Sequence, residues 1–285
     1  MSLTESGARI PRKPDGARFR HEALFYAGAE HVEFVDMERV GRNPARIIPA
    51  WQDWIERNTG RAGRHDRAGH RPRGFRGIGE PVWAGRSSAE IRECQKHEEL
   101  LGTAFARGPA WSLLCPYDIE SLPIDVVAMA HREHRPPPGE TVGGEVLVDP
   151  LPDLGPPIFE FPFGLGELPR LRSLIREHAA ALGLAERRVP DFVLVADELA
   201  ANSVRHGGGG GVLRLWHQGT YAICEVHDAG LITDPLVGRR RPDFARHVGG
   251  AGLWTANRLC DLLLIRSAET HGTSVRAHLA VGAAD

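Results

Sequence analysis

Cysteine is scarce in this chain: four in 285 residues, Cys94, Cys115, Cys224 and Cys260, far apart and never paired as CxxC. That spacing argues against a zinc ribbon, and the thiols read as reduced, mostly buried small hydrophobes. No apolar run approaches the length that spans a bilayer. The N-terminal stretch MSLTESGARIPRKPDGARFR has no apolar core of the kind a signal peptide needs. Neither sign of charge dominates. With 35 basic and 37 acidic side chains the formal net charge is -2, which gives no general attraction to nucleic acid or to an anionic membrane. There is no internal repeat. These absences predict a soluble cytoplasmic protein, and 42% hydrophobic residues suffice for a packed core.

Proline and glycine, by contrast, are plentiful and unevenly placed. Seven of the 21 prolines fall between Pro136 and Pro157, with glycines among them. Proline removes backbone donors and stiffens the chain, so 136–157 reads as a semi-rigid linker. It divides a polar N-terminus (1–18) and a first domain (19–135) from a second domain (158–285). In the second domain Ile158–Phe163 reads as a strand. Leu168, Leu171, Leu174, Ile175, Ala179 and Leu182 share one helical face that Gly183 ends. A second helix is expected from Pro190 to Arg205, stopped by the five glycines Gly207–Gly211. Strands follow at Val212–His217 and Tyr221–His227, then a helix from Gly252 and strands at Leu262–Ser267 and Thr273–Leu279. The mixture predicts an α/β sandwich with helices over one face of a sheet.

The second helix carries Glu198-Leu-Ala-Ala-Asn-Ser-Val-Arg-His206. Phe192, Val193, Ala196, Leu199 and Ala200 form an apolar stripe for packing. Glu198, Asn202 and His206, spaced i, i+4, i+8, form another. An amide oxygen suits magnesium, a hard cation that keeps several waters. A carboxylate one turn away can accept a proton from an attacking hydroxyl. A solvated helix face ending in a histidine near the C-terminal dipole explains the same residues equally well. Three further pieces follow in order. Asp228-Ala-Gly230 ends a strand, where the carboxylate can accept from an exocyclic amine and Gly230 admits close backbone approach; an ordinary Asx turn has the same pattern. Gly249-Gly-Ala-Gly-Leu253 opens a helix whose free N–H groups face any phosphate; a flexible connector is the plain alternative. Gly272-Thr-Ser-Val275 starts the last strand, as a simple hairpin also would.

Each piece is weak; the ordered set resembles the GHKL ATPase superfamily over about 120 residues. Glu198 with Asn202 matches its asparagine box, Asp228-x-Gly230 its first glycine box, Gly250-x-Gly252-Leu253 its second, and Gly272-Thr273 its late contact near the base. Leu231-Ile232 stand where a second glycine usually follows Gly230. A proline-rich segment precedes the domain in place of a histidine kinase's helical hairpin. Within the superfamily the motif E-L-x-x-N-S-x-x-H-G is similar to the anti-sigma factor serine kinases of the RsbW and SpoIIAB type. The resemblance implies ATP and magnesium as cofactors. Asn202 would hold the magnesium and Glu198 would be the general base. Asp228 and Thr273 would read adenine, Gly250 and Gly252 would cradle phosphates, and His206, Gly230 and Leu253 would line the nucleotide site. The implied partners are a sigma factor and a STAS-domain anti-anti-sigma factor bearing the phosphoacceptor serine, with a possible homodimer and no direct contact with nucleic acid or membrane. A non-catalytic nucleotide switch that sequesters its partners is the alternative. Asp234–Val248, with Arg239-Arg-Arg241 and Arg246, is expected to form a lid whose arginines either stabilise phosphate charge or are solvated.

The first domain offers strands at His21–Tyr26 and Val32–Val35, a helix with Trp54 and Ile55, and an Arg- and Gly-rich stretch, Arg61–Arg76, expected to be a loop. After Gly77–Arg86 comes a helix with Glu90, Cys94, His97 and Glu98, then Trp111–Asp118 as a buried strand and turn. This order resembles the MEDS sensory domain that often precedes a GHKL domain in RsbA-family anti-sigma regulators. Only Ala27–His31 separates the first two strands, so the resemblance implies a shortened sensory domain. For His21, Cys94 and His97, packing and hydrogen bonding are expected in preference to metal binding.

Overall fold

The computed structural model describes residues 22–26, 32–62, 75–109, 111–133, 147–242 and 251–282. The C-terminal half is built on five antiparallel strands: β5 (Phe159–Gly164), β6 (Gly210–Gln218), β7 (Tyr221–Asp228), β8 (Leu262–Ala268) and β9 (Gly272–Ala280), in the order β5-β6-β7-β9-β8. Alternation along each strand decides what each face meets. Leu213 and Leu215, Ala222, Cys224 and Val226, and Val275, Ala277 and Leu279 are buried in one core with helices α5 (Leu168–His178), α6 (Val189–His206) and α7 (Gly252–Leu259). Arg214, Glu225 and Arg276 occupy the opposite face. Their register sets Glu160 beside Arg214, Arg214 beside Glu225 and Glu225 beside Arg276. Glu160 and Arg214 are 2.5 Å apart, and Arg276 Nε donates to Glu225 at 2.7 Å. An α/β sandwich with helices over one sheet face is therefore what forms.

α6 starts with Pro190 in its first turn and ends at Gly207, whose N–H donates to the Ser203 carbonyl at 2.8 Å. Its predicted stripe, Phe192, Val193, Ala196, Leu199 and Ala200, is buried in full. Arg172 of α5 donates to Asp197 at 2.8 Å and ties the two helices side by side.

The N-terminal half forms a second sheet in the order β2-β1-β3-β4, from β1 (Glu22–Tyr26), β2 (Val32–Asp36), β3 (Phe75–Gly79) and β4 (Trp111–Leu114). β1 and β2 pair directly and antiparallel, in keeping with the short segment between them. Four helices accompany the sheet: α1 (Met37–Val40), α2 (Ile47–Ala62), α3 (Ser88–Phe105) and α4 (Ile124–Glu133), with a 3-10 turn at Pro44–Arg46. α3 begins in a capping box between Ser87 and Glu90. β4, expected to be buried, lies at the margin of the described sheet beside β3, and its side chains alternate, Trp111 and Leu113 half-buried and Ser112 and Leu114 exposed. The chemistry of the cysteines is as expected: all four are free, and Cys94 donates to the Pro81 carbonyl at 3.1 Å. His21, the N-terminal 1–18, most of the Arg-rich stretch (63–74), the first part of the linker (136–146) and Arg246 lie outside the described residues.

Two findings depart from a picture of separated domains. The described part of the linker, 147–157, is laid against the C-terminal sheet: Leu147 enters its core, Arg276 donates to the Pro152 carbonyl at 2.8 Å and Trp216 Nε1 to the Gly155 carbonyl at 3.0 Å. The two halves also touch. β8 is an edge strand by its hydrogen bonds, yet Leu262–Ser267 are buried: Leu263 and Ile265 enter the C-terminal core, and the Pro44–Arg46 turn packs on the strand. Among the described residues no helix is long and apolar enough to cross a membrane.

Candidate functional site

α6 and α7 meet where their functional residues face each other. Glu198 and Asn202 are one turn apart and half-buried, and Gly252 is the first residue of α7. A Cβ added to Gly252 would stand 2.7 Å from Glu198 Oε2 and 3.0 Å from Asn202 Nδ2. Only glycine lets the start of α7 come this close to a carboxylate and an amide. The N-cap residue of α7, Ala251, offers no side-chain cap. The first-turn N–H groups of α7 therefore point out of the helix without a side-chain acceptor at the cap, next to the carboxylate and the amide. A hard cation on the amide oxygen and an anion at the helix start suit this arrangement chemically.

A second group forms at the ends of β7 and β9, where Asp228 pairs in register with Thr273. Ser203 Oγ, from α6, donates to Asp228 Oδ2 at 2.5 Å, and the Gly230 N–H donates to Oδ1 at 2.7 Å. Gly207 packs on the same carboxylate: a Cβ there would meet Asp228 Oδ1 at 2.5 Å. Thr273 is buried, and its hydroxyl donates to the Gly230 carbonyl at 2.9 Å. That uses its one proton, so Ser267 Oγ, 2.7 Å away, must be the donor between the two hydroxyls. Ser267 in turn accepts from the Ile232 N–H at 2.8 Å. The aspartate is thus held rigidly at the mouth of the sheet, and each carboxylate oxygen keeps a second lone pair for a ligand.

The predicted residues do not all converge. Glu198, Asn202 and Gly252 come together, as do Asp228, Gly230 and Thr273. His206, the last residue of α6, has an exposed side chain, and only its carbonyl approaches Gly230. Leu253 is a core residue. Gly250 lies outside the described residues. Arg239, expected either near phosphate or in solvent, is instead buried against Glu93 of α3, with Nη2 donating at 2.7 Å. Arg240 pairs with Asp234 at 3.7 Å and Arg241 with Asp53 at 3.8 Å. Ser203 and Ser267 were not singled out from the sequence. Ser203 sits inside the motif, four residues before the helix-ending Gly207, whereas Ser267 carries no local signal at all.

Residues 14–135 match the family profile described as MEDS, the methanogen/methylotroph DcmR sensory domain, and residues 161–279 match the histidine kinase-like ATPase domain. The chain joins a MEDS domain to a histidine kinase-like ATPase domain. This is the order of domains that the sequence motifs predict. The site described above lies wholly inside the ATPase domain, and the ion pair that captures Arg239 comes from the MEDS domain. No curated protein matches the chain.

Proposed function

We propose that the ATPase domain binds Mg-ATP and transfers its terminal phosphoryl group to a serine of a STAS-type anti-anti-sigma protein, while the same chain sequesters a sigma factor. The observation that supports this best is the meeting of Glu198 and Asn202 with Gly252 at the start of α7. The residues fit the nucleotide: the space where a Gly252 Cβ would stand is bounded by a carboxylate and an amide. Asn202 would offer the oxygen for magnesium, the uncapped start of α7 would receive the phosphates, and Asp228, fixed by Ser203 and Gly230, would accept from the base amine. The bound nucleotide supplies the phosphoryl group, and magnesium neutralises its charge. Glu198 would accept the proton of the serine hydroxyl as its oxygen bonds to the terminal phosphorus and the bond from that phosphorus to the ADP leaving group breaks. Positioning and charge stabilisation make up most of catalysis in such transfers, and this chain supplies both through rigid elements.

The test is phosphoryl transfer from labelled ATP to a STAS-domain protein of the same cell. Glu198→Ala should slow transfer on the order of 100-fold or more, the usual contribution of a general base, and leave Mg-ATP affinity within about threefold. Normal transfer by the variant removes the base assignment. Tight Mg-ATP binding by the wild-type protein with no transfer to any STAS partner leaves a nucleotide-dependent switch that sequesters partners without phosphorylation.

A further inference from the structure

α7, whose first residue helps build the site, is gripped by the MEDS domain at its other end. Arg46 caps the C-terminus of α7: its Nε donates to the Asn257 carbonyl at 2.8 Å, and Nη2 donates to those of Arg258 at 2.9 Å and Cys260 at 2.6 Å. A cation is favoured there by the helix dipole. Asn43 Nδ2 lies 3.2 Å from both the carbonyl and Oδ1 of Asn257. The amide nitrogen of Asn257 then donates to the Gly238 carbonyl at 2.9 Å. Gly238 belongs to the turn between the two glycine motifs, and that turn is also held from the MEDS side. Leu236 is fully buried in a small cluster with Ile48 of α2 and Leu100 of α3. Glu93 of α3, 1% exposed, accepts from Arg239 at 2.7 Å on one oxygen and from Arg266 of β8 at 3.0 Å on the other.

We infer that Glu93 is a positioning residue for the nucleotide site. By holding Arg239 against Arg266 it fixes the 236–239 turn, which through Asn257 sets the position of α7 and so of Gly252 against Glu198 and Asn202. The physical reason is that Glu93 is a desolvated carboxylate bonded to two guanidinium groups, and such a contact has two discrete states, made or broken. A MEDS domain that shifts α3 breaks it and frees the turn. A MEDS domain that keeps α3 in place keeps α7 ready for phosphate. The inference rests on the nucleotide reading of the site, and linkage makes it reciprocal: if the contact favours Mg-ATP, Mg-ATP favours the contact.

The experiment uses the full chain and Mg-ATP as the probe. Glu93→Gln and Arg239→Gln should each raise the Kd for Mg-ATP at least fivefold. The double variant should be no weaker than the weaker single, because both break one contact. Effects that multiply, or a Kd unchanged in folded variants, overturn the inference. In case the variants fold poorly, hydrogen exchange of 88–105 is measured on the unaltered chain with and without saturating Mg-ATP. Slower exchange of α3 with nucleotide is the expected result. Unchanged α3 exchange in a chain that binds Mg-ATP overturns the coupling alone. A wild-type chain that binds no Mg-ATP overturns the coupling together with the nucleotide site.

Discussion

The two domains of this chain solve the problem of a core differently. In the ATPase domain α5, α6 and α7 share one continuous apolar core with the sheet, from Phe163 to Leu279. Among the described residues of the MEDS domain the buried ones fall into separate clusters. One is built around Trp51, Trp54 and Phe75, and another around Val82, Cys94, Leu122 and Val126. A third, Ile48 with Leu100, is completed by Leu236 of the ATPase domain. A single core gives a domain stability of its own, and a divided one leaves stability to be drawn from a neighbour. The MEDS domain should therefore be the part that opens first, which suits a region placed to modulate a site built elsewhere.

The comparison is most severely strained by deleting a large side chain from the divided side. Trp51→Ala, in the largest MEDS cluster, should cost about 3–5 kcal/mol. Calorimetry should then show the MEDS domain melting well below an ATPase domain that still unfolds cooperatively. One shared transition moving as a whole would mean that the two cores act as one. A smaller but more telling change is Leu236→Ala, about 2–5 kcal/mol for a buried leucine. It lies in the ATPase sequence, yet it should lower the MEDS transition as well, since that domain loses a wall of its third cluster. A shift confined to the ATPase transition breaks the idea of a borrowed core.

The smallest of the three effects sharpens the contrast through pH. Burial, with Arg239 and Arg86 nearby, pushes His97 of α3 down to about 3, whereas burial and Arg276 push His278 of β9 down to about 4. In the unfolded chain each imidazole takes up its proton near 6.5. Below that pH the unfolded state binds more protons than the folded one, so stability is full above about 6.5 and falls as the pH drops toward the folded value. At pH 5 each histidine should cost about 2 kcal/mol relative to pH 7. Melting followed between pH 7 and 5 should show His97→Gln flattening the loss for the MEDS transition and His278→Gln flattening it for the ATPase transition. A slope that neither variant changes assigns the acid sensitivity elsewhere.

What the sequence disclosed followed the reach of its local patterns. The stripe Phe192–Ala200, the stop at Gly207 and the apolar runs that read as strands are short-range signals, and they mark the α/β sandwich and the face that carries Glu198 and Asn202. Asp228, Gly230 and Thr273 come together because strand register brings two ends of a sheet side by side, which the order of motifs already implies. The partnerships that remained hidden are those across long separations. Arg239 has the same local setting whether it faces phosphate or Glu93, and nothing near Glu93 marks it as more than a polar residue on α3. Ser267 is an ordinary strand serine until the fold sets it beside Thr273. The segment reads as a semi-rigid linker because its prolines are local, while the carbonyls that dock it meet Trp216 and Arg276 far along the chain.

The two margins of the five-stranded sheet bear on how other proteins can approach it. β8 is roofed by the Pro44–Arg46 turn, and β5, at the other margin, contains Pro162, which removes one donor from the row that would face an incoming strand. Lengthening this sheet with a foreign strand is thus disfavoured on both sides. Whatever docks on the ATPase domain must recognise side chains on helices and loops. A proteolytic cut that released the MEDS domain would open the β8 margin with Leu262 and Leu264 on it, and should leave the ATPase domain prone to self-association.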